Sequence, residues 1–326
     1  MPNIACELKD FTRTNLSKLQ TVMVTPKMLL DCAARIGMPT IVSHPAHRRP
    51  FAEMQWRMGM VAANLRPTAS GKGWTRTSAY NRLDPSEKSA VSYFLGMTQA
   101  ALTSRYVLGY PHLVHVDLLL QHQGLPLSGS RPDFVAVDPT SKLRNAYSAV
   151  VEAKGRTNGF DEGPLERAKI QVANTPSIRN LSPIERVASV AYFDDTDQWA
   201  SVLKDPEGTG KELDLGLESF LFVYYQNIIE AGRESQTWEL VNGAYEFSVG
   251  DFQLTFQIPE SLVDAYDASS EIASTKVRDA EAPILTSYYR IAESSSDRTG
   301  DLISSTFREG ASEESLTALL EIYNEE

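Results

Sequence analysis

Cysteine is nearly missing from this chain: Cys6 and Cys32 are its two. Two are too few for a disulfide framework and these are wrongly spaced for a zinc knuckle, so both read as free thiols. Long apolar runs are missing too. No stretch of 18 or more apolar residues occurs, and no transmembrane helix or membrane partner is expected. The opening segment Met1-Pro2-Asn3-Ile4-Ala5-Cys6-Glu7-Leu8-Lys9-Asp10 has no basic region followed by an apolar one. No signal peptide is therefore expected, and a cytoplasmic location is. Internal repeats are not seen, and Gly71-Lys72-Gly73 lacks the spacing of a phosphate-binding loop, so it reads as a linker.

Positive charge is in deficit overall, with 31 Lys and Arg against 42 Asp and Glu and a net of −11. The distribution changes what this excludes. Residues 1–186 hold 23 basic and 14 acidic residues, a net of +9, whereas residues 187–326 hold 8 and 28, a net of −20. A polyanion could be held on the basic half by counterion release. The acidic half reads either as a surface for a protein partner or as a solvated, solubilising face.

What is present is ample material for a core: 326 residues, 42% hydrophobic and 22% charged. The patterning predicts an α/β protein in three regions. Residues 1–80 read as mostly helical, with helices over 25–36 and 51–65. Residues 81–195 read as a mixed central sheet flanked by helices. Residues 196–326 read as an acidic α+β region with a helix over 214–229, a hairpin at 245–258 and a final helix near 312–324. In the middle region Asp84-Pro85-Ser86-Glu87 is a capping-box start for a helix to about Tyr106. Strands follow at 111–120, 131–138 and 147–154, then a helix over 165–174 and a strand over 184–193. Short connections make the first three strands antiparallel, and the helical crossover makes the third and fourth parallel.

The chemistry concentrates in two segments, Arg131-Pro132-Asp133-Phe134-Val135 and Val150-Val151-Glu152-Ala153-Lys154-Gly155. Strand alternation puts Glu152 and Lys154 on one face. In an antiparallel pair the start of one strand lies beside the end of the other, so Asp133 can stand next to them. Two carboxylates and the Ala153 carbonyl are hard oxygen ligands suited to Mg²⁺. Lys154 could orient or deprotonate an attacking water, or neutralise developing charge. Read without function, Glu152 and Lys154 are a surface ion pair at a strand end and Asp133 is a strand-edge residue.

Pro132-Asp133, a strand-length gap and Glu152-Ala153-Lys154 resemble the PD-(D/E)XK motif of the restriction-endonuclease-like nucleases. The helix, three strands, helix, strand order is similar to their core, over about residues 84–193. The resemblance implies that Asp133 and Glu152 bind a divalent metal, Mg²⁺ or Mn²⁺, and that Lys154 is catalytic. It also offers Glu87 in the first helix as a further metal ligand and Gln171, preceded by Lys169, as an accessory polar residue. It implies a metal-dependent DNA endonuclease, cytoplasmic, in a defence or mobile-element setting, able to act as a homo-oligomer or with a protein partner on its acidic half. The alternatives are a silent nuclease-fold subunit that binds nucleic acid or protein, and an interaction protein dominated by the acidic half.

Other candidates are His44 and His47 with Arg48 and Arg49 in a proline-flanked loop, read as a zinc pair or a phosphate-contacting loop. His112, His115 and Asp117 read as strand-edge polar residues. Trp74, Arg76, Tyr80 and Arg82 read as a packed connector or a base-stacking set.

Overall fold

The structure is a computed structural model that describes residues 1–13, 16, 18–36, 49–125, 127, 131–139, 146–173, 177–178, 181–206, 212–213, 216–275, 283–294, 301–308 and 310–322. The loop residues His44, His47 and Arg48 lie outside these.

The chain begins with β1 (Asn3–Lys9), β2 (Leu19–Met23), α1 (Pro26–Arg35), α2 (Pro50–Asn64), β3 (Leu65–Pro67), β4 (Trp74–Arg76), α3 (Ser78–Arg82) and α4 (Pro85–Thr103). It continues with β5 (His112–His115), α5 (Val116–His122), β6 (Phe134–Asp138), β7 (Ala146–Gly155), α6 (Glu162–Ala173), β8 (Ser177–Ile178), β9 (Leu181–Phe193) and β10 (Trp199–Lys204). It closes with β11 (Glu212–Leu213), α7 (Leu217–Glu234), β12 (Glu239–Val241), β13 (Ala244–Val249), β14 (Leu254–Pro259), α8 (Glu260–Thr275), α9 (Pro283–Ser294), β15 (Ser304–Phe307) and α10 (Glu313–Ile322).

A mixed seven-stranded sheet runs in the order β2-β1-β10-β9-β7-β6-β5. The strands β5, β6 and β7 form an antiparallel meander, and β7 pairs with β9 in parallel after the α6 crossover. The antiparallel meander and the parallel crossover are those expected from the sequence; the helix α5 between β5 and β6 is not. Helices α4 and α6 pack on β7 and β9. The far edge comes from elsewhere in the chain: β10 is antiparallel to β9, β1 is parallel to β10 and β2 is antiparallel to β1. The first 80 residues are thus not mostly helical apart from the sheet; they supply two of its strands. Ile4, Cys6 and Leu8 alternate inward along β1, which is what seats it there.

One strand differs from expectation. The run 111–120 divides into β5 and the helix α5, with the break at Val116. Leu118, Leu119, Leu120 and Gln121 are good helix formers, and a short apolar run does not distinguish strand from helix by period. The Val116 amide turns to the Asp133 carbonyl at 3.0 Å, which ties the start of α5 to the approach of β6.

Helix α4 starts on the expected capping box. The Asp84 carboxylate accepts from the Ser86 and Glu87 amides, and the Glu87 carboxylate accepts from the Asp84 amide at 3.0 Å. The acidic half folds onto the basic one, with α7 against α2 and β5. Asp301, whose side chain is wholly buried, takes Arg35 Nη1 at 2.8 Å, Arg105 Nη1 at 3.0 Å and the Tyr224 hydroxyl at 2.9 Å. Burial would raise its carboxyl, but Arg35 and Arg105 hold it down at about 2. A second, antiparallel sheet, β12-β13-β14-β15, completes that half, including the expected hairpin of β13 and β14. No helix among the described residues is long and apolar enough to cross a membrane.

Candidate active site

The register of β6 and β7 pairs Phe134 with Val151 and Val135 with Val150. One step further out, Asp133 falls opposite Glu152. Asp133 Oδ2 accepts from the Ala153 amide at 2.9 Å, so the aspartate is locked onto the strand that carries the other two residues. Lys154 Nζ is ion-paired with Glu152 Oε1, as their shared face requires. Asp133, Glu152, Ala153 and Lys154 therefore converge at the end of the β6–β7 pair.

Burial sets the electrostatics. Glu152 is only 1% exposed, whereas the Lys154 side chain is 31% exposed. Desolvation raises Glu152 to about 7, the neighbouring Asp133 charge adds to this, and Lys154 opposes it. Asp133 is also raised by burial, against the Ala153 amide and Lys154. The two carboxyls are close enough to exchange a hydrogen bond when one is protonated, so they titrate as a pair.

This donor set fits a hard divalent cation. It consists of oxygens, and Glu152 Oε2 is buried with no hydrogen-bond donor on it. A second positive charge would favour the ionised forms that burial disfavours at both carboxyls. Among the described residues no group of three or more His, Cys, Asp and Glu side chains is arranged to hold a metal. A cation here would thus rest on two carboxylates and the Ala153 carbonyl, with water or substrate oxygens completing it, which is the ligand regime of Mg²⁺. Asp117, in the first turn of α5, adds to the field on Asp133 but is committed to Arg131, whose Nη2 lies 3.0 Å from its Oδ2.

The structure does not bring Glu87 to this cluster. It is exposed, and its carboxylate caps its own helix. It stands nine residues ahead of Gly96, about two and a half helical turns, which puts it on the far side of α4 from the contact with β7. Gln171 is half-buried on α6, whose buried face of Pro164, Leu165, Ala168 and Val172 covers the sheet.

Tyr93 is the residue of α4 at the site, and sequence reasoning passed over it. A Cβ on Gly155 would stand 1.6 Å from the Ser92 carbonyl oxygen and 3.1 Å from the Tyr93 amide nitrogen. A Cβ on Gly96 would stand 2.7 Å from the Gly155 nitrogen. These two glycines let the helix backbone lie directly on the end of β7, beside Lys154. Burial first, then the Asp133 charge, push the Tyr93 phenol up to about 12. The legible signal was Gly96, a small residue in a helix interior opposite the motif glycine.

The remaining candidates are structural. His112 is fully buried among Tyr224, Tyr225 and Tyr288, and burial lowers it to about 4. His115 is buried with its ring 4.4 Å from that of Phe134. Trp74 and Tyr80 are buried and Arg76 is ion-paired with Asp197, as a packed connector requires. Compared with known proteins, the chain matches no family model, no curated protein and no solved structure.

Proposed function

We propose that this chain is a divalent-metal-dependent nuclease that hydrolyses DNA phosphodiester bonds, built on a restriction-endonuclease-like core from α4 through β9. The observation that carries the reading is the convergence of Asp133 on Glu152 and Lys154, with Glu152 Oε2 buried and without a donor. Asp133, Glu152 and the Ala153 carbonyl are the groups that would hold Mg²⁺ or Mn²⁺, which when bound supplies Lewis acidity and an activated water.

The chain's own groups do the rest. Asp133 is fixed by the Ala153 amide and so keeps its place as charge in the site changes. Lys154, ion-paired with Glu152 and partly exposed, has an ammonium that orients the attacking water and offsets the negative charge that builds on the phosphate. The basic half, net +9 over residues 1–186, draws the polyanion to the site.

Cleavage of supercoiled plasmid tests this. Nicking or linearisation in Mg²⁺ or Mn²⁺ is expected, with loss in EDTA and in Asp133→Ala and Lys154→Ala. If no metal supports cutting while DNA binding persists, the chain is a nucleic-acid-binding subunit rather than an enzyme.

A further inference from the structure

Beside the carboxyl pair lies a group of aromatic rings that the hydrolytic site does not use. Trp56 on α2 and Tyr93 on α4 are 47% and 39% exposed, against 0% and 1% for Trp74 and Trp199. Phe94 lies between them. Its ring centroid is 4.6 Å from that of Trp56 and 5.3 Å from that of Tyr93, both edge to face. The Arg57 guanidinium sits 5.5 Å from the Phe94 centroid, and Glu53 pairs with it at 2.8 Å, so the ledge is braced from beneath. Scattered single aromatics on a surface need no explanation, but three rings in contact do.

Placement narrows what the ledge takes. The Tyr93 backbone lies against Gly155, the residue after Lys154, and its phenol feels the charges of Asp133 and Glu152. A strand whose phosphate is held at the carboxyl pair through a bound divalent cation would have its neighbouring groups beside these rings. In duplex DNA the base faces are stacked on one another and cannot use a ledge; an unpaired nucleobase can. Aromatic stacking also tolerates any base.

We propose that Trp56, Phe94 and Tyr93 form a stacking subsite for an unpaired nucleobase, and that the DNA taken is single-stranded or locally unpaired beside the scissile phosphate. This rests on the nuclease reading for the identity of the polymer, and its test does not require cleavage. Affinity for a fluorescein-labelled 15-mer of thymidine and for a 15-base-pair duplex would be measured by anisotropy with Ca²⁺ in place of Mg²⁺, for the wild type, Trp56→Ala and Trp56→Phe. Stacking losses per base correspond to about a 5- to 150-fold weaker single-strand affinity in Trp56→Ala, with duplex affinity unchanged and most of the loss restored by phenylalanine. Trp56 is the most exposed tryptophan, so quenching of wild-type emission by the 15-mer and not by the duplex is also expected. Unchanged single-strand affinity in Trp56→Ala, equal loss on both substrates, or no single-strand binding by the wild type overturns the subsite. Cleavage decides the nuclease reading separately: a metal-dependent enzyme with an unaltered Trp56→Ala would lose the ledge alone, and a chain that never cuts would lose hydrolysis alone.

Discussion

Glu152→Gln offers a quantitative perturbation, because it removes a charge that the fold holds at a cost. The folded value of Glu152 is about 7 against an ordinary 4.5, with burial the main cause and Asp133 the second. The folded chain therefore keeps a proton that the unfolded chain has already lost over that range. Stability from this group is full below about 4.5 and is lost as pH rises through about 7. At about 1.4 kcal/mol per pH unit, ionising Glu152 in place costs the metal-free fold about 3 kcal/mol at pH 8 and under about 1 kcal/mol at pH 5. The side chain is 1% exposed, so solvent screening does not erase this. Glutamine has nearly the same shape and no charge, and Lys154 can re-solvate its partly exposed ammonium. In EDTA the variant should therefore gain stability over the wild type on going from pH 5 to pH 8, by about 2–3 kcal/mol or roughly 4 °C in melting temperature for a chain of this length. His112 and the titrating groups away from the site are common to both proteins and cancel in the difference, whereas Asp133 and Lys154 lose a charged neighbour in the variant. Adding Mg²⁺ at pH 8 should close most of that gap, since a hundredfold excess over Kd adds about 2.7 kcal/mol to the protein that binds it. A wild-type-minus-variant difference that stays the same at pH 5 and pH 8 would refute the reasoning, as would equal stabilisation of both proteins by Mg²⁺.

Three further outcomes are expected. Gly155→Ala places a Cβ 1.6 Å from the Ser92 carbonyl, so α4 must lift from β7; urea denaturation should show a loss of about 3 kcal/mol or more, and cleavage should fall with it. Asp301→Ala leaves Arg35 and Arg105 short of their shared buried carboxylate and should cost about 3–5 kcal/mol by the same measurement, a loss below 1 kcal/mol counting against the network. Glu87→Ala removes only half a capping box and should cost about 0.5–1 kcal/mol with no more than a twofold change in plasmid cleavage; a hundredfold loss would make Glu87 part of the site.

The central hairpin was legible because its residues speak with one voice. Apolar β-type runs flank Asp133 and Glu152, and the two-residue period alone sets Lys154 beside Glu152. The α4 start was equally plain, since Asp84, Pro85 and Glu87 occupy the three positions a capping box needs. That same clarity misdirected the site reading: the carboxylate that caps α4 is used there, and the residue that reaches the pair, Tyr93, carries no motif. Its position depends on Gly96 and Gly155 meeting across 59 residues of sequence, a contact no local pattern displays. Strands β1 and β10 were missed for a related reason. Each is short, and they pair in parallel with nearly 190 residues between them, so neither has a turn signal to announce its partner. The charge split was real in the sequence, yet Asp301 shows that part of the acidic half is spent inside the fold, on Arg35 and Arg105 of the basic half.

The central claim is that the Asp133–Glu152 pair is a divalent-cation site. Crystals soaked in Mn²⁺ at pH 8, with diffraction recorded at the manganese absorption edge, test it most directly. The account predicts an anomalous peak within coordination distance of the Asp133 and Glu152 carboxylates. A map with no peak between these carboxylates, at Mn²⁺ concentrations that fill other acidic sites of the molecule, would contradict it.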